Sequence, residues 1–146
     1  MGIPRRAERD IIHHLLVGIL RAAHRDYFSD APYMEAVEAT LILAEIIVAQ
    51  LDDGPTNATR LAEHLGVSRQ TVARRLDTLQ AKGAITIDAE GHQHDIRIDG
   101  AMLASPAGDR CLSGVVQLVL DAAKALTENL TPPSESKMDS PKMGTD

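Results

Sequence analysis

The segment from Ser68 to Lys82, here called the recognition segment, carries the side chains best suited to chemistry in this chain. Its apolar residues Val72, Leu76 and Leu79 recur at the spacing of one helical face. The rest of its surface is rich in arginine, glutamine and threonine, with four cations against the single acid Asp77. Such a helix suits the major groove of DNA, where guanidinium and amide groups hydrogen-bond to base edges. An ordinary solvated amphipathic helix has the same pattern, so the neighbouring elements must distinguish the two interpretations.

A helix and a tight turn are predicted immediately before the recognition segment. The helix covers residues 56–65, and residues 66–68 form the turn. Ala62, Gly66 and Val72 have the spacing of a helix-turn-helix. The small residue lets the two helices cross closely, the glycine permits a left-handed turn, and the apolar residue locks the second helix. Since all three fall inside independently predicted helices, the pattern favours a helix-turn-helix.

A β-hairpin is predicted directly after the recognition segment, which Gly83 ends. Residues 84–88 and 94–98 alternate between apolar and polar in the manner of half-buried strands, and Gly91 lies in the loop between them. A hairpin in this position is the wing of a winged helix-turn-helix, with its loop near the minor groove or the phosphates. The sequence therefore predicts a mainly α fold with a small β-hairpin.

Three further helices are predicted around this unit. Residues 7–28 and 105–129 carry apolar stripes wider than one packing face needs, which indicates a second subunit. Residues 32–52 are apolar nearly all round and are predicted to form the central buried helix, whereas residues 99–104 are interpreted as a connection. The expected regions are an N-terminal dimerisation helix within 1–30, a winged helix-turn-helix over 33–100, a C-terminal dimerisation helix over 105–129 and a disordered tail over 130–146.

Composition limits the class of protein. The 146 residues suffice for one domain with a core, and because aromatic residues make up only 2%, that core is expected to be aliphatic. The single cysteine, Cys111, excludes an internal disulfide and a multi-cysteine zinc site and fits a reducing compartment. We find no signal peptide pattern. The most apolar run, residues 41–51, is interrupted by Glu45 and is too short to span a membrane. A cytoplasmic protein without membrane contact is expected.

The net charge of −6 is unfavourable for binding nucleic acid, but its distribution is permissive. Residues 56–98 hold six lysines and arginines against five acids. The rest of the chain holds nine lysines and arginines against sixteen acids, so the excess acid lies mostly outside the predicted DNA-binding unit.

No enzyme is indicated. The sequence has no glycine-rich phosphate loop, no cluster of zinc ligands and no nucleophile with partners that can be located. The adjacent acids Asp52 and Asp53 are better interpreted as a solvated helix end. The predicted function therefore has no catalytic residues, no metal and no cofactor.

Several motifs around the recognition segment form one pattern. They are the run from Leu61 to Ser68, then Thr71-Val72-Ala73-Arg74, Leu76-Asp77, Leu79 and Lys82-Gly83, and finally Asp95 and Arg97 in the hairpin. On these residues the chain resembles the MarR family of winged helix-turn-helix transcription regulators, over about residues 33–110. The order of the predicted helices and strands also agrees.

The resemblance implies a homodimer with intertwined terminal helices and two recognition helices on a palindromic operator in double-stranded DNA. Carried over by position, five residues lie at or near base edges: Ser68, Arg69, Gln70, Thr71 and Arg74. Three more meet phosphates: Arg75, Lys82 and Arg97. A small-molecule effector between the dimer helices and the DNA-binding unit is a further implication, and no residue here identifies it.

Two departures from the family pattern modify these expectations. The wing loop holds Glu90, His92 and His94 where basic residues are more usual, so most of the DNA contact should come from the recognition helix. The C-terminal part has one long helix instead of two, which implies a smaller dimer interface.

Some alternatives remain open at the level of sequence. Arg97 could pair with Asp95 or Asp99 instead of a phosphate. The wing histidines could bind a metal but are more simply solvated, and Cys111 is expected to be a buried, inert thiol. For the whole protein, the alternative to a DNA-binding regulator is a winged-helix module whose acidic surface binds another protein.

Overall fold

The computed structural model describes residues 5–52, 54–88 and 94–130, which form six helices and one antiparallel hairpin. In chain order the elements are α1 (Arg6–Asp26), α2 (Tyr33–Asp52), α3 (Ala58–Leu65), α4 (Arg69–Ala81), β1 (Ile85–Asp88), β2 (Asp95–Ile98), α5 (Gly100–Ala104) and α6 (Pro106–Leu130). The predicted fold class, mainly helical with a small hairpin, is confirmed.

Local capping explains where α3 and α4 begin and end. The Asn57 side chain accepts a hydrogen bond from the Arg60 N–H at 3.0 Å, which satisfies a free donor in the first turn of α3. Gly66 ends α3 in the left-handed region at φ 68°, and its N–H donates to the Ala62 carbonyl. Ser68 then caps α4 by accepting from the Thr71 N–H at 3.1 Å. The predicted three-residue turn is confirmed.

An aliphatic core holds the helix-turn-helix together. The apolar face of α4 is buried as its spacing predicts, with Val72 and Leu79 fully inaccessible and Leu76 nearly so. These side chains pack with residues of α2, α3 and the hairpin. The largest fully buried members of the core are Ile42, Ile46, Leu61, Val72, Leu79, Ile85 and Ile96.

The hairpin is fixed to the body of the domain by its second strand. β1 and β2 pair in register from Ile85 opposite Ile98 to Asp88 opposite Asp95. An isolated bridge joins Ile96 to Thr56, just before α3, and the Gln50 side chain of α2 accepts from the Ile98 N–H at 2.9 Å. These bonds fix the base of the wing relative to α2 and α3.

Two sequence expectations about the flanking elements are corrected. The helix predicted to be buried nearly all round, α2, is buried on one side only, and Leu41, Val48 and Leu51 are 47%, 53% and 79% exposed. Hydrophobic content cannot show which apolar faces have a partner within the same chain. The predicted connection over 99–104 contains α5, which Asp99 caps by accepting from the Ala101 N–H at 2.9 Å.

The terminal helices α1 and α6 pack against each other along much of their length. Gly18 of α1 lies against Leu118 of α6, where an added Cβ would come within 3.2 Å of the leucine side chain. The single long C-terminal helix agrees with its prediction. Near its start, Cys111 is half-buried where a buried thiol was predicted, and this partial burial raises the pKa of the thiol.

Some expectations fall on residues that the structure does not describe. The wing-loop residues Glu90, Gly91 and His92 lie outside the described ranges, as do residues 131–146 of the predicted tail. Within the described ranges, no helix is long and apolar enough to cross a membrane, and no group of three metal-ligating side chains comes together.

The junction of α5 and α6 provides a test of close backbone packing. A Cβ at Gly108 would overlap the backbone oxygen of Met102, whereas a Cβ at Gly100 would meet no described atom within 4 Å. We expect Gly108→Ala to lower the free energy of unfolding by about 1–3 kcal/mol, because the backbone must shift. Gly100→Ala, the matched control, should leave it unchanged or raise it. Urea denaturation measures both, and equal midpoints for the two variants would contradict the described packing.

Candidate nucleic-acid interface

The outward face of α4 brings together most of the side chains predicted to contact base edges. Ser68, Arg69, Gln70 and Arg74 are exposed, and Thr71 is half-buried. Burial of the opposite, apolar face determines this orientation, since rotation of the helix would expose Val72 and bury charge. The surface therefore presents guanidinium, amide and hydroxyl groups together.

Two hydroxyl groups at the start of α4 are held in a fixed relation. The Ser68 Oγ accepts from the Thr71 backbone N–H and donates to the Thr71 Oγ1 at 3.0 Å. Because the Thr71 hydroxyl accepts this bond, its own hydrogen is directed elsewhere. The Thr71 hydroxyl can thus donate to an acceptor outside the protein, such as a base edge or a phosphate oxygen.

Arg75 faces the body of the protein. Its Nε donates to the Glu38 Oε1 at 2.7 Å, and its Nη1 lies 3.6 Å from the Glu35 Oε2. Only 13% of its side chain is exposed. Phosphate contact by Arg75, as the resemblance implies, would require these two ion pairs with α2 to break.

Lys82, at the end of α4, is engaged in a similar way. Its Nζ lies 3.2 Å from the Asp30 carboxylate and within 5.4 and 5.7 Å of the ring centroids of Tyr27 and Phe28. The hydrogen bond from Lys82 is the largest cause of a lowered pKa at Asp30. Lys82 therefore connects α4 to the segment between α1 and α2.

Arg97 lies at the base of the wing and points away from the core. Its strand neighbour Ile96 is buried, so the alternation along β2 exposes Arg97. Among the described residues, no carboxylate lies within the 4.0 Å of its guanidinium that an ion pair requires, and the alternative pairing with Asp95 or Asp99 is not formed.

An open groove of about 710 Å³ separates α3 and α4 from the hairpin. Arg60 from the first turn of α3 and Arg69 from the first turn of α4 both line it. Two acids, Glu63 and Asp77, and His94 of the wing lie along the same groove. Arg60 is not among the residues predicted from the sequence to contact DNA, although its position three residues after the cap Asn57 places it at the exposed start of a helix.

Comparison with known proteins supports this architecture. A family model described as an HTH domain matches residues 44–94. The chain also resembles the crystal structure of the transcriptional regulator Tm0710 from Thermotoga maritima, with a TM-score of 0.52 and 22% sequence identity over 91% of this chain and 84% of that one. This chain has the winged helix-turn-helix fold. No curated protein matches it, and membership of the MarR family stays a prediction.

The Lys82–Asp30 pair provides a prediction about acid stability. Because the folded-state pKa of Asp30 lies below its ordinary value of 3.8, the pair stabilises the fold above that pH and loses this effect as the pH falls through the lowered pKa. We expect Asp30→Asn to reduce the pH dependence of the unfolding free energy below about pH 5.

Lys82→Met should remove the larger part of this dependence, since the hydrogen bond from Lys82 is the first cause of the lowered pKa and a backbone hydrogen bond to Asp30 is the second. Denaturation curves between pH 2 and 7 test both variants and their combination. If the double variant loses markedly more pH dependence than Asp30→Asn alone, the two residues do not act as a pair.

Proposed function

We propose that this protein is a sequence-specific DNA-binding transcription regulator of the MarR type, which acts as a homodimer on a palindromic operator. The observation that carries the proposal is the exposed Arg-Gln-Thr face of α4, held outward by the buried Val72, Leu76 and Leu79 of a capped helix-turn-helix. A regulator of this kind acts where the chromosome is, so we place it in the cytoplasm.

We assign base contacts to the outward face of α4. The Arg74 guanidinium can donate two hydrogen bonds to guanine, and the Gln70 amide can pair with adenine. Ser68, Arg69 and Thr71 lie in the preceding turn, where the first residues of a recognition helix approach base edges or phosphates.

We assign the phosphate contacts to partly different residues from those that the family resemblance implies. Arg97 keeps this role, and Arg60 joins it because both are exposed on elements that flank α4. Arg75 and Lys82 are assigned to orienting α4, since their ion pairs attach the helix to α2 and to the segment after α1. Isolated surface ion pairs contribute only about 0–1 kcal/mol each, so their effect is expected on the orientation of α4 more than on global stability.

Exposed apolar residues on the terminal helices support the homodimer. Ile12, Leu16 and Val17 of α1 are between 41% and 55% exposed, and Leu112 and Leu120 of α6 are 53% and 57% exposed. An apolar surface of this kind is typical of a subunit interface. A twofold axis there would present two α4 helices to successive major grooves, about 34 Å apart. A small-molecule effector would act by favouring one value of this spacing.

DNA binding is tested with fragments of the promoter region of the gene itself, by gel shift or fluorescence anisotropy. We expect Arg74→Ala to weaken binding roughly tenfold or more, because a bidentate contact to a base is lost. Binding should weaken steeply with salt, and Arg97→Ala should reduce the slope of log affinity against log salt by about 1.

Two variants serve as controls for this experiment. Arg110→Ala removes an exposed arginine of α6, on the side of that helix opposite Leu112, and should leave affinity unchanged. Arg75→Ala should lower affinity without changing the salt slope, because an arginine that contacts no phosphate releases no counterion. No shift at low salt with any fragment, together with no effect of Arg74→Ala, would favour the protein-interaction module instead.

The homodimer is tested by the change Leu16→Glu. Since Leu16 is 55% exposed in the protomer, the charge should leave the fold intact but disrupt an apolar interface, and a monomer should result at micromolar concentration. Light scattering measures the mass, with Leu103→Glu as a matched control because Leu103 is 44% exposed on α5. A monomeric mass for the unmodified protein would contradict the proposed dimer.

A further inference from the structure

An apolar stripe runs the length of α2 on the side away from the core. Its residues follow each other at alternating steps of three and four: Met34, Val37, Leu41, Ala44, Val48 and Leu51. Met34 and Leu51 are 66% and 79% exposed, and Val37 alone is half-buried. The opposite side of α2 makes the core contacts through Ala36, Ala39, Ile42 and Ile46. A continuous stripe of this spacing is what one helix presents to another.

The α2 stripe continues the apolar surface of α1. The rings of His24 and Tyr33 meet edge to face, 5.4 Å apart, where the end of α1 meets the start of α2. The His24 Nε2 also donates to the Ala31 carbonyl at 2.8 Å. At about 100° per residue, His24 lies on the same side of α1 as the exposed Leu16 and Val17. The interface proposed above can therefore extend from α1 onto α2 across His24 and Tyr33.

The charges beside the stripe restrict what can cover it. α2 contains four acids and no lysine, arginine or histidine, and Asp52 and Glu45 border the stripe near its C-terminal end. Asp52 is exposed, and Glu45, 3.5 Å from His64, keeps 37% of its side chain exposed. A second α2 would bring more acid and no cation. α6 holds three acids against two cations, so it is also net negative.

α1 has the complementary character. It holds four arginines against three acids, and Arg6 and Arg9 are exposed in its first turns on the side of Leu16. Of the nearby acids, Glu8 pairs with Arg5 at 3.7 Å, and Asp10, about 40° round the helix from Arg6, lines a groove between α1 and α6. Residues 5–10 hold three arginines against two acids, so α1 is weakly cationic at its N-terminal end and apolar beyond it, whereas the α2 stripe is apolar and bordered by acids at its C-terminal end.

We propose that the α1 helix of a second copy of this chain lies antiparallel along the α2 stripe, with Arg6 and Arg9 beside Asp52 and Glu45. A twofold axis makes the contact occur twice, since each α1 covers the α2 of the other subunit. This inference rests on the homodimer proposed above and adds to it the surface, the orientation and the pairing charges.

The proposed contact between α1 and the partner's α2 affects the position of the two α4 helices. α2 carries Glu35 and Glu38, which pair with Arg75 of α4. A partner helix seated on α2 therefore contacts the same rigid element that orients α4 on its own subunit. The position of α1 on the partner's α2 thus determines the distance between the two α4 helices.

A charge exchange in the full chain tests the pairing. Arg9→Glu and Asp52→Arg should each raise the dimer dissociation constant roughly fivefold or more, since each change places like charges together at both copies of the contact. The double variant should return to within roughly threefold of the unmodified protein. Leu51→Glu should raise the constant at least tenfold, with Leu103→Glu as the matched control. Sedimentation velocity measures the constants, and circular dichroism confirms that each variant is folded.

The outcomes separate this inference from the proposals on which it rests. If Leu16→Glu yields a monomer while the Leu51 and charge variants keep the original constant, the dimer stands and the α2 contact is wrong. If the single charge variants weaken the dimer but the double variant does not recover, the pairing is wrong. A monomeric unmodified protein overturns both the dimer and this inference. Restored dimerisation in the double variant supports the inference even if no DNA fragment binds.

Discussion

Burial of one face of α4 is the constraint on which the rest of this molecule depends. Val72, Leu76 and Leu79 are removed from water by α2, α3 and the hairpin, and this fixes the rotation of the helix about its axis. The polar side chains of the other face are exposed as a result. The capped turn at Gly66 and Ser68 then fixes the angle between α3 and α4.

Ion pairs then orient a helix that the apolar core has already placed. The Arg75 pairs reach α2 and the Lys82 pair reaches the segment after α1, so the recognition helix is attached at two points to the elements proposed to form the dimer. Such contacts are individually weak and depend on salt and pH. They are suited to adjusting the direction of a helix within a fold that larger apolar contacts hold together.

The charged side chains are distributed in agreement with these two roles, in which the apolar core places α4 and the ion pairs orient it. Residues 56–98 are nearly neutral in sum but carry exposed arginines on α3, α4 and β2, whereas α2 holds four acids and no lysine or arginine. Because α2 is acidic and the start of α1 is basic, the outer surface has one negative and one positive region. In the proposed dimer, these charges select which helix of the second copy covers the α2 stripe, whereas a purely apolar surface would allow several arrangements.

The sequence by itself determined the local structure of this protein. Helical spacing, capping residues and a glycine turn are encoded over a few neighbouring positions, so the helix-turn-helix, the hairpin and the exposed Arg74 could be predicted without the fold. The tertiary structure alone decided which side chains meet across the chain. Glu38 lies 37 residues before Arg75, and no local pattern reveals their contact. The exposed stripe of α2 was missed for the same physical reason: an apolar residue records a preference for burial, but only the packed chain shows whether a partner is present within it.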